Sequence, residues 1–157
     1  MCICLGASAQ RNSGRLSLGA GLLYKNGAEM TLAYEHEMNY RHIWEFFANG
    51  YLQWSDCRTC GHICPESFWK NYRTWGIGAA YKPCVIRGRN HYGSLRLGAS
   101  GGSDTEKFVA GIHLGYEHSY VLRSGWIFYW QVKNDVIIRG ADLFRTGVAL
   151  GIKLPIK

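Results

Sequence analysis

No stretch of the 157-residue chain approaches eighteen consecutive apolar residues, which excludes a membrane-spanning helix. It does not exclude a membrane barrel, whose signal per strand is far weaker. Long helical periodicity is also missing, and with it a helical-bundle architecture. Proline is scarce, at three residues. The chain shows neither a low-complexity linker nor a domain boundary, so it reads as one domain. The formal net charge is +7, but Lys and Arg are dispersed rather than gathered into a basic stripe. That distribution argues against direct binding of nucleic acid.

Glycine, tryptophan and tyrosine are plentiful instead, at 20, 6 and 10 residues. Apolar and small or polar residues alternate in eight segments separated by turn residues. The segments are residues 15–24, 28–37, 43–54, 72–81, 92–100, 108–118, 126–133 and the stretch from Arg145 to the end. Asn26-Gly27 is a strong hairpin signal between the first two. The last reads RTGVALGIKLPIK, with Val148, Leu150, Ile152 and Leu154 on one face. Arg145, Gly147, Ala149, Gly151 and Lys153 occupy the other. Even strand number and meander order predict an all-β fold, an eight-stranded antiparallel up-and-down barrel.

Such a wall has two possible polarities. In a soluble lipocalin-like barrel the apolar face would line a ligand cavity. In a transmembrane barrel it would face lipid. Volume decides, because an eight-stranded interior is barely wide enough for its own side chains. The apolar faces carry Trp44, Phe46, Trp54, Trp75, Tyr81, Phe108, Tyr116, Trp126, Phe128, Trp130 and Phe144. That set would overfill a small lumen. The opposite faces are rich in Gly, Ala, Ser and Thr and carry charges of both signs. Glu29, Glu35, Glu37, Glu45 and Glu117 stand against Arg15, Arg96, Lys133, Arg145 and Lys153, with His113 among them. Equal numbers are what a closed lumen needs, because buried charges must be paired. A transmembrane barrel with a lumen charge network is therefore expected, with outer-membrane lipids as its surroundings.

The N-terminal residues MCICLGASAQ run from a short apolar stretch into Ala7-Ser8-Ala9 and Gln10. This is the pattern of a signal-peptide cleavage site. Residues 1–9 are read as the remnant of a cleaved signal peptide and residues 10–157 as the barrel domain. Export to the bacterial outer membrane follows from that reading.

The segment CRTCGHIC holds Cys57, Cys60 and Cys64 around His62. A zinc site is one reading. The spacing is too tight for all four side chains to wrap one ion, however, and no second ligand pair lies at finger spacing. A loop disulfide in an oxidising compartment is favoured, and neither a metal nor another cofactor is expected. Cys84 falls in the next connection, at the opposite barrel end if strands alternate, and is a poor partner.

The strand order, the hairpin GIHLGYEHSYVLRSGWIFYWQVKN and the ending FRTGVALGIKLPIK resemble the outer-membrane β-barrel superfamily. Within it the chain resembles the TraO family of conjugative-transposon proteins, chiefly over residues 108–157. The resemblance implies an exported barrel that is an accessory of a conjugative transfer system, with other conjugation proteins as partners. It brings no catalytic residues, and a non-enzymatic protein is expected. The rival is a lipid-modifying barrel enzyme, for which His36, His118 and Ser119 are candidates by composition alone. A nucleophile would need a base within hydrogen-bond reach.

Overall fold

The structure is a computed structural model that describes residues 14–24, 26–54, 72–104, 106–140 and 143–156. Nine strands occur among them: β1 (Gly14–Leu23), β2 (Gly27–Glu37), β3 (Ile43–Gln53), β4 (Arg73–Lys82), β5 (Cys84–Arg87), β6 (His91–Ser103), β7 (Phe108–Val121), β8 (Ile127–Ile138) and β9 (Phe144–Ile156). All pairings are antiparallel. The order β4-β3-β2-β1-β9-β8-β7-β6-β5 closes on itself through a β4–β6 ladder.

The nine strands make eight staves, because β4 and β5 are one stave interrupted at Pro83. β4 pairs with residues 97–103 of β6, and β5 pairs with residues 92–94. Proline has no N–H to give the ladder. Its carbonyl still accepts from Leu95 N at 3.1 Å and carries the pairing across the break. The residue pattern alone predicts a connection here; the ladder to β6 makes it part of the wall. β6, β7 and β8 also run further than expected, each by several residues.

Faces follow strand parity. Leu18, Leu22, Met30, Phe46, Trp75, Ile77, Leu114, Val148 and Leu150 are exposed on the outer surface, Leu22 at 70% and Leu150 at 54%. Lys82, Lys153, Glu35, Glu117 and Asp135 are almost fully buried in the interior. The distribution is the inverse of a soluble protein's, and it fits a wall whose outer solvent is lipid. From Phe144 to Leu154 the last strand takes ten steps. That is about 33 Å of strand, or about 25 Å along the axis at a tilt of roughly 40°. Outer aromatic side chains mark both ends of this band. Tyr24, Trp75, Phe108 and Phe144 lie at one end; Tyr34, Trp44, Trp126 and Phe128 lie at the other.

Small inward residues let the barrel close tightly. A Cβ on Gly151 would sit 2.4 Å from the Leu18 carbonyl oxygen and 2.5 Å from the Tyr129 ring. On Gly102 it would sit 1.9 Å from the Trp75 carbonyl oxygen. Gly50, on the outer face, meets nothing within 4 Å. The requirement for glycine at 102 and 151 is therefore close approach of neighbouring staves and of Tyr129.

Candidate functional site: the charged barrel interior

Six acids and six bases project inward among the described residues. The sequence named ten of them; the structure adds Lys82 and Asp135. Lys82 is the last residue of β4, and its ammonium lies among three carboxylates. It donates to Glu35 and to Glu117, each at 2.6 Å, and pairs with Glu45. Glu35 and Glu45 stand directly opposite each other across the β2–β3 ladder. Two like charges in that position repel, and Lys82 is the cation that makes the pair tolerable. Arg96 holds Glu45 through Nε at 2.9 Å and through a second nitrogen at 2.7 Å. Lys153, from β9, donates to Glu35 at 2.8 Å and pairs with Glu117. Ser119 adds a hydrogen bond to Glu117 at 3.2 Å.

Three cations and three carboxylates thus form one connected network across the lumen, drawn from β2, β3, β4, β6, β7 and β9. Each ion is expensive to desolvate, and the mutual attraction offsets that cost only while every partner is present.

A second group lies towards the other end. Lys133 donates to Glu29 at 2.5 Å and lies 2.8 Å from Asp135. His113 Nδ1 is 2.9 Å from Asp135, and its Nε2 is 2.7 Å from Ser100 Oγ. Thr31 also donates to Glu29, at 3.0 Å. Arg145, opposite Asp135 in the β8–β9 register, donates to Thr74 at 2.9 Å. Its guanidinium stacks 3.7 Å from the Tyr51 ring centre, while Nε and Nη2 find no acceptor. The remaining pair, Arg15 and Glu37, sits at the end of the barrel that carries Gly14 and Ile156. Every inward charge named from the sequence therefore lies in the interior, distributed over these three groups.

What this interior can do chemically is limited. Between Ser17, Glu45, Arg96, Tyr129 and Lys133 lies a void of about 20 Å³. That is room for one water molecule and for no larger solute. Carboxylate oxygens of Glu35, Glu45 and Glu117 lie within 4.8 Å of one another, a spacing suited to a metal ion. The Lys82 ammonium already stands among them, so the chain supplies its own cation.

His118 and Ser119 are neighbours on β7 and point to opposite faces. Ser119 is fully buried in the lumen. His118 lies outside, stacked 5.4 Å from His91 and 5.7 Å from Trp130, and hydrogen-bonded to Tyr116 at 2.8 Å. His36 is also on the outer wall, opposite Trp44 in the register. The structure does not bring these three together as nucleophile and base. Cys57, Cys60, Cys64 and the 1–9 segment lie outside the described residues. Cys84 begins β5, and the length of β4 separates it from the barrel end at which β3 finishes and β4 starts.

The fold is that of outer-membrane eight-stranded barrels. A major outer-membrane protein from Thermus thermophilus superimposes with a TM-score of 0.61 at 10% identity, over 93% of this chain and all of that one. A designed transmembrane β-barrel gives 0.54 at 8% identity, over 92% of this chain and 96% of the other. Neisserial surface protein A gives 0.53 at 12% identity, over 90% and 94%. At such identities the likeness concerns the fold alone. No protein-family profile matches the chain, and no curated protein does.

Proposed function

We propose that this chain is a non-enzymatic protein of the bacterial outer membrane, an accessory of a conjugative transfer system. The polarity of the wall carries the membrane reading: an apolar outer band about 25 Å tall surrounds an interior of paired charges. A filled lumen suits an anchored scaffold rather than a pore. The connections at the end bearing Gly14 and Ile156 are short, and the longest connection, residues 54–72, lies at the other end. Outer-membrane barrels keep short turns in the periplasm and long loops outside. We therefore assign the 54–72 end to the cell surface. The conjugative role rests on the resemblance of residues 108–157 to the TraO family, and the partners would be other proteins of that apparatus.

A cysteine pair tests the membrane reading. In a background with the chain's own cysteines replaced by serine, a probe attached at Leu150→Cys should be quenched by groups carried on lipid acyl chains. A probe at Ala149→Cys should not be. Detergent-free solubility of the folded protein, with position 150 shielded from every reagent, would mean that the soluble binder is right. Transfer frequency from a donor lacking the gene tests the role separately. Unchanged transfer would remove the conjugative assignment while leaving the barrel in place.

A further inference from the structure

The end of the barrel that holds the chain termini contains a cavity of about 220 Å³ lined by Arg15, Glu37, Arg41, Tyr92, Ile127 and Pro155. It is some ten times the size of the central void and lies outside the paired network below it. Two guanidiniums face it against one carboxylate. Arg15 is paired with Glu37 and also donates to the Tyr92 hydroxyl at 3.4 Å. Arg41 is different. Its guanidinium carbon lies 5.3 Å from the centre of the Tyr92 ring, and its Nη1 is shielded from solvent with no acceptor.

The backbone is strained to place it there. Tyr40 and Arg41 both have left-handed φ, at 62° and 61°, in a five-residue turn without glycine. Consecutive non-glycine residues in that region are costly and persist only where the surroundings over-determine them. A buried donor without a partner carries a further penalty. An acceptor for Arg41 removes the second cost and helps to offset the first by holding the turn in place.

The surroundings favour an anion. The connections at this end carry Arg89 and Arg123 besides Arg41, with Arg87 ending β5 next to them, and residues 38–42, 88–90 and 122–126 contain no acid. A concave site with basic residues in excess, here against the single carboxylate of Glu37, concentrates anions. Guanidinium is also the group that binds oxyanions through a planar fork.

We infer that this vestibule is a binding site for a small soluble oxyanion, a phosphate or carboxylate, held by Arg41 with Arg15 and the Tyr92 hydroxyl. Val121, Ile127 and Pro155 are on the inward-facing parity of their strands and line the cavity from inside the barrel. A lipid headgroup would have to cross the rim to enter. The inference does not depend on the conjugative role.

The test uses the full chain in nanodiscs of zwitterionic lipid, titrated with inorganic phosphate and followed through its arginine Nε–H resonances. The Arg15 and Arg41 signals should move together and saturate. Arg41→Gln should weaken binding by tenfold or more, and Arg123→Gln, on the exposed rim, by less than twofold. Val121→Trp, which fills the cavity and leaves both arginines in place, should abolish saturation. It decides the matter alone if Arg41→Gln fails to fold. Unchanged affinity in Arg41→Gln or in Val121→Trp would overturn the site. So would equal, non-saturating shifts of all rim arginines. A response seen only with anionic-lipid nanodiscs, and none with free phosphate, would transfer the chemistry to lipid headgroups and reject a soluble ligand.

Discussion

Lys82→Met should cost about 3–5 kcal/mol of barrel stability or prevent folding altogether, since breaking a buried ion group leaves uncompensated charge. Lys82 is 1% exposed and is the cation shared by Glu35, Glu45 and Glu117. Without it three carboxylates would be left to Arg96 and Lys153. Glu35 and Glu45 would then face each other across the ladder with nothing between them. Urea unfolding of the refolded barrel in vesicles, read by tryptophan fluorescence and by heat-modified gel migration, measures the loss. The double change Lys82→Met with Glu35→Gln should recover part of it, because two carboxylates would then meet two cations. A double variant no better than the single one would mean that lost packing, rather than lost charge balance, is what Lys82 supplies.

Arg96→Leu should likewise cost about 3–5 kcal/mol, and Arg145→Leu distinctly less. Both arginines are 4% exposed, so burial alone does not separate them. Partners do. Arg96 makes two hydrogen bonds to one Glu45 oxygen, and its loss leaves the three network carboxylates to two cations, Lys82 and Lys153. Arg145 bonds a threonine hydroxyl and an aromatic face, and Asp135 beside it keeps Lys133 and His113. Leucine at 145 would still pack on Tyr51, and it would remove two unpartnered donors. Equal losses in the two variants, in the same unfolding assay, would show that Arg145 reaches Asp135 more strongly than its geometry indicates.

The wall was legible in the sequence because strand parity is a physical constraint rather than a tendency. Once Val148, Leu150 and Ile152 face outward, Ala149, Gly151 and Lys153 must face inward. The same rule contained the two network members that were passed over. Lys82 continues the inward series of Thr74, Gly76, Gly78 and Ala80, but Pro83 reads as the end of a strand. Asp135 continues Ile127, Tyr129, Gln131 and Lys133, but Asn134-Asp135 reads as a turn. In both cases local turn chemistry hid a register that the neighbouring stave enforces. Charge balance gave no warning, since the two residues missed have opposite signs. The vestibule was not legible at all. It depends on the backbone at Tyr40 and Arg41, where nothing in the residue types announces a left-handed turn.

The pairing of β1 with β9 runs from Gly14 against Ile156 to Leu23 against Gly147. These strands are nearly as far apart along the chain as two segments can be. Their ladder is also the one that removes the last two free edges. In hydrocarbon every unpaired N–H or C=O costs several kcal/mol, so a wall of seven staves has no comfortable resting place. The rewarded contact is the one with the greatest loop entropy to overcome. Partial rings are consequently poor stopping points in either direction. The chain should enter the bilayer, and leave it, as a whole, and its lifetime there is governed by a rate rather than by a sum of local stabilities.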